Sequence, residues 1–137
     1  MNTKCNGRYI IVNGKITPEP DLIKWALWFE KAENRVLKHT EIGTKIYGND
    51  DEPDGPKYLV STVFLGLDHN PLGTAPVLWE TMTFEYIQPR IVLGRIIIRE
   101  PVAEFCERCS GNFEQAEAMH EKICTKVVAS EKEVAKT

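Results

Sequence analysis

The sequence predicts an α+β fold: an antiparallel sheet of about four to five strands with two helices packed on one face. Three observations carry this. Two runs rich in β-branched and aromatic residues, roughly 57–67 and 77–87, flank a Pro/Gly loop. Two segments, 22–32 and 113–129, repeat apolar residues at helical spacing. The order of elements is strand, helix, several strands, helix. With 137 residues the chain is long enough to bury a core as one domain, here 1–130, followed by a polar tail, SEKEVAKT, ending in a frayed segment at 131–137.

Each element has a local reason. Residues 8–12, RYIIV, read as a short strand, and Asn13-Gly14 is a strong turn signal. Asp21 is suited to cap the helix at 22–32, because its carboxylate can accept an orphan backbone N–H. Leu22, Trp25, Ala26, Phe29 and Ala32 form its apolar stripe, which Leu27 and Trp28 widen, so the helix is expected to press deeply onto the sheet. A strand is expected at 35–47 and a solvated acidic connection at 48–56. That connection begins like an EF-hand loop but has Ser61 where the bidentate Glu belongs. Strands at 77–87 and 90–99 are expected to be separated at Pro89, which cannot donate to a ladder. Asn112 caps the second helix, with Gln115 at the capping-box position. Phe113, Ala116, Ile123 and Val127 form its apolar stripe.

Composition narrows the function classes. The net charge of −3 argues against a general nucleic-acid binder. No stretch approaches the ~20 apolar residues that span a bilayer, and the N-terminus lacks the apolar core of a signal peptide. The expected location is the cytoplasm, where the four cysteines would be reduced thiols or metal ligands. No phosphate-cradling glycine loop occurs.

Three patterns could carry chemistry. Cys106, Cys109, His120 and Cys124 follow a ligand order that a tetrahedral Zn²⁺ site uses, with His120 and Cys124 four apart on one helical face. The plainer reading, which carries more weight, is an ordinary helix beside incidental thiols, since cysteine is often buried without metal. Four protein ligands would in any case make such a zinc structural. Asp68-His69, at a strand end, could act as an acid–base pair or a ligand contact. The preferred alternative is an Asx-type turn before Pro71. Glu80 shares a strand face with Leu78, Met82, Phe84 and Tyr86, the more apolar of the two faces, and so needs a partner: His69, His39 or an arginine of 90–99. Trp79 and His120 join Asp68 and His69 as candidate ligand contacts.

The segments TEIGT (40–44), STVFLGLDHN (61–70), WETMTFE (79–85) and FEQAEAMHEKI (113–123), with DLIKWALWFE (21–30), resemble a family of small uncharacterised proteins of tailed phages and prophages. Relative to that pattern, this chain has extra residues at 45–58 and 86–105, and Cys106, Cys109 and Cys124 lie outside it while His120 lies within it. The resemblance implies a phage accessory protein in the infected bacterium. Such a protein would act by binding, either inhibiting a host defence or takeover target or sequestering a small ligand. The alternatives are a small hydrolase using Asp68, His69 and Glu80, and a zinc-containing interaction module. A homodimer is a further expectation, from the helix around Trp25 and Trp28 and from the 90–99 strand as a sheet edge.

Overall fold

The computed structural model describes residues 6–44 and 55–136. Its architecture is α+β. Strands β1 (Tyr9–Val12) and β2 (Lys15–Pro18) form a hairpin closed by Asn13-Gly14, both with positive φ. Helix α1 (Leu22–Phe29) follows. A curled, five-stranded antiparallel sheet then contains β3 (Val36–Ile42), β4 (Tyr58–Phe64), β5 (Val77–Val92), β6 (Arg95–Pro101) and β7 (Glu107–Ser110). Helix α2 (Phe113–Lys136) closes the chain. No helix among the described residues is long and apolar enough to cross a membrane. Most of the acidic connection expected at 48–56 lies outside the described residues.

The cap residues expected from sequence take up their roles. Asp21 Oδ1 accepts the N–H groups of Ile23 and Lys24 at 2.9 and 3.1 Å. At the start of α2, Gln115 N–H donates to Asn112 Oδ1 while Asn112 N–H donates to Gln115 Oε1, at 3.0 and 2.9 Å, a reciprocal capping box. α1 stops at Phe29 and not at residue 32. Its last carbonyls are taken by side chains just downstream: Asn34 Nδ2 donates to Trp28 O and Arg35 Nε to Phe29 O. Nor is α1 pressed deeply into the sheet, for it has no fully buried residue. Trp25 donates to Gly66 O and stacks on Phe29, while Trp28 meets Phe64 edge-on. α2 continues well past 129, where Lys57 Nζ reaches Glu131 at 2.9 Å.

The largest departure concerns β5. Pro89 does not end it. The strand runs for 16 residues, and the chain reverses at Leu93-Gly94, where φ is positive at both residues as a two-residue hairpin turn requires. Pro89 is tolerated because the ladder with β6 is irregular between Tyr86 and Arg90, while β4 pairs with β5 only as far as Glu85. The first part of β5 thus lies between β4 and β7. Its last part continues with β6 as a two-stranded arm.

α2 covers one face of the sheet, with two apolar clusters beneath it. Tyr58, Val60, Ile123, Cys124 and Val127 form one; Phe64, Leu78, Trp79, Ala116 and Met119 form the other. The face of β5 beneath α2 is therefore Trp79, Thr81 and Thr83, and not the Leu78, Glu80, Met82 face that its apolar content favours.

Candidate functional site: a buried histidine and an aromatic cleft

Between the two clusters lies a row of polar side chains. On α2, His120 falls in line with Ala116, Ile123 and Val127, so the stripe that buries the helix buries the imidazole as well. Thr40 of β3, Thr62 of β4 and Thr81 of β5 are neighbours across the sheet. His120 Nε2 lies 2.8 Å from Thr40 Oγ1 and Nδ1 lies 2.7 Å from Thr62 Oγ1. Thr62 Oγ1 is in turn hydrogen-bonded to Thr81 Oγ1.

His120, Thr62 and Thr81 are fully buried. A neutral imidazole supplies one N–H and one lone pair, and hydroxyls can turn to match either tautomer. Both ring nitrogens are therefore satisfied without charge. Burial holds the His120 pKa below the ordinary histidine value. The nearest charged and titratable groups, Glu121, Lys38, His39 and Glu117, pull in opposing directions. The row joins β3, β4, β5 and α2 through directional bonds at the centre of the core, which fixes the rotation of α2 on the sheet.

The zinc candidates are placed apart. Cys109 packs with the Trp79 cluster and Cys124 belongs to the Tyr58 cluster. Cys106 Sγ donates to Val102 O at 3.3 Å. Burial pushes the Cys109 and Cys124 thiols up, which keeps both protonated. Among the described residues no group of three His, Cys, Asp or Glu side chains is arranged to hold a metal ion.

The acid–base candidates also have structural occupations. Asp68 Oδ1 accepts the N–H groups of Asn70 and Val77 at 2.7 and 2.9 Å, which shapes the loop and sets the start of β5. His69 is exposed and its backbone N–H donates to Val77 O. Glu80 lies on the face away from α2, where Arg108 Nε of β7 donates to it at 2.8 Å. Its partner is thus Arg108, its cross-strand neighbour, and neither a histidine nor an arginine of 90–99.

Trp79 occupies a more open setting. It stands edge-to-face with Phe64 and Phe113, each 5.1 Å away, and its Nε1 donates to Gly111 O. One side of this aromatic group borders a cleft of about 220 Å³, also lined by Ile11 and Gly14 of the N-terminal hairpin and by Asn34, Arg35, Val36 and Leu37. The hairpin is held there by Gly66. Its carbonyl accepts from Tyr9 N–H and Trp25 Nε1, its φ is +75°, and a Cβ on it would come within 2.8 Å of Phe29 Cδ1. Only glycine suits that position.

Sequence reasoning missed Thr40, Thr62 and Thr81. The signal was available: His120 sits on the apolar stripe of α2, and a histidine there needs hydroxyl or amide partners opposite it. No protein-family model, curated protein or solved structure matches the chain.

Proposed function

We propose that this chain is a phage-encoded accessory protein that works inside the infected bacterium by binding a host protein, without turnover. The observation that carries this is the cleft walled by Trp79, Phe113, Ile11 and Leu37, with Asn34 and Arg35 beside it. Its volume decides the kind of occupant. At about 220 Å³ it falls below the ~300–1,000 Å³ of sites that enclose a free small ligand. It matches one anchoring side chain of a larger partner, and aromatic walls are common where such anchors bind. The hydrolase alternative has less support. Asp68 is engaged by its own loop and Glu80 by Arg108.

Filling the cleft tests the reading. Immobilised full-length protein should retain a protein from bacterial host lysate, and Ile11→Phe, which places a ring in the cleft, should lose it while melting at the wild-type temperature. No retained protein with the wild type, together with no thermal shift from nucleotides, sinks the proposal. So does equal retention by both forms.

A further inference from the structure

The arm formed by the end of β5 and by β6 exposes an apolar face. Ile91 and Ile96 are cross-strand partners, 76% and 71% exposed, and Ile98 continues the same face. Leu93 at the turn is almost wholly exposed. Arg90, Arg95 and Arg99 occupy the other side of the ribbon by alternation. An isolated two-stranded ribbon is marginal in water, and an exposed apolar one invites a partner. A second unpartnered stripe runs along α1. Leu22, Ile23 and Leu27 are all more than half exposed, on the side away from Trp25, Trp28 and Phe29.

We infer that a second copy of this chain covers the arm, the arm of each copy lying along α1 of the other in a two-fold dimer. Charge and area both favour this occupant. The arm carries three arginines against Glu100, while α1 is flanked by Glu19, Asp21, Glu30 and Glu33 against Lys24 and Lys31. Arm on helix is therefore complementary, whereas arm on arm brings arginines together. An aliphatic side chain offers roughly 60–120 Å² of apolar surface at the usual transfer coefficient. The isoleucines and leucine of one arm alone fall short of the ~800 Å² per partner of a stable interface, whereas arm and helix stripe together approach it. A two-fold exchange covers every stripe and closes the assembly. Nucleic acid fits less well, because Arg90 is paired with Glu100 at 3.3 Å and Arg99 lies over the Phe84 ring.

Sedimentation of the full chain over a range of concentrations tests this. The wild type should form dimers, and Ile96→Glu and Leu27→Glu should each raise the dissociation constant roughly tenfold or more while leaving far-UV circular dichroism and melting of the monomer unchanged. Under oxidising conditions, a mixture of Ile96→Cys and Leu27→Cys should give a disulfide-linked dimer above the level set by the native cysteines, and Ile96→Cys alone should not. A wild type that stays monomeric at high concentration overturns the inference. So does a dimer indifferent to either substitution, cross-linking of Ile96→Cys to itself, or a monomer that binds duplex DNA through the arm. The cleft variant Ile11→Phe should leave the dimer intact, so a failure here is distinct from a failure of the host-protein reading.

Discussion

The two ends of β5 are built from similar material and meet opposite surroundings. Near its start, Trp79, Thr81 and Thr83 are at most 1% exposed; near its end, Ile91 is 76% exposed. The difference lies in what flanks them. β4 and β7 pair with the first part and α2 lies over it, whereas the last part has only β6 among the described residues. In one strand, threonine is buried and isoleucine is not. Burial along a strand is set by its neighbours, and residue type then determines what that burial costs.

The contrast is tested most severely at Trp79. Its ring bridges Phe64 and Phe113, and its N–H anchors the turn before α2. Trp79→Ala removes a large aromatic group from a packed site and should cost about 3–5 kcal/mol in urea unfolding. A cost below ~1 kcal/mol would mean that the first part of β5 is no better packed than the second.

Next comes the polar row. Thr62→Val leaves a ring nitrogen of His120 and the Thr81 hydroxyl each short of a partner in a dry core, and should cost about 1–3 kcal/mol. The same histidine gives stability a pH dependence. Its pKa is lowered in the folded chain, so on acidification the unfolded chain takes up the proton first, near the ordinary value of ~6.5. The contribution is whole above that pH. It declines as pH falls below it, and levels off once the folded pKa is passed. Urea midpoints measured from pH 8 down to pH 5 should fall for the wild type and stay flatter for His120→Gln, with His39→Gln behaving like the wild type. A flat wild-type profile would show that His120 is not held neutral by burial.

These sites separate what was legible in the sequence from what was not. The caps Asp21, Asn112 and Gln115 were legible because capping is local, a side chain bonding a backbone group two or three residues away. The α+β class was legible from the periods of the apolar residues. Pro89 misled because its cost depends on whether a neighbouring strand needs its N–H, and β4 ends too early to need it. The reversal at Leu93-Gly94 was hidden by the apolar run around it, which lacks the asparagine or aspartate that usually marks such a turn. The face of β5 beneath α2 was misread because apolar content pointed to Leu78 and Met82. What decides the matter is His120, some forty positions further on, which makes threonine the fitting residue opposite. Asp68 was legible as a turn residue. The separate settings of Cys106, Cys109, His120 and Cys124 depend on how β7 and α2 pack, which spacing alone does not fix.

A smaller effect of opposite sign is expected at Thr83. Its hydroxyl is buried and has no hydrogen-bond partner among the described residues. Thr83→Val keeps the shape and removes the unsatisfied group, so it should stabilise the protein by about 1 kcal/mol. Thr62→Val and Thr83→Val are thus the same substitution, on adjacent strands and the same face, with opposite predicted signs. A loss at Thr83 comparable to that at Thr62 would extend the polar row by one member.

The smallest effect belongs to the far end of β5. Ile91→Ser, measured on dilute monomer, should change stability by no more than ~0.5 kcal/mol, because the side chain already lies mostly in water. A buried isoleucine truncated this far would cost several times as much. The pairing with β6 persists without it, since backbone bonds hold the ladder, and serine is tolerated at an exposed strand position. A loss near 2 kcal/mol in the monomer would place Ile91 against some part of its own chain, and the contrast between the two ends of β5 would disappear.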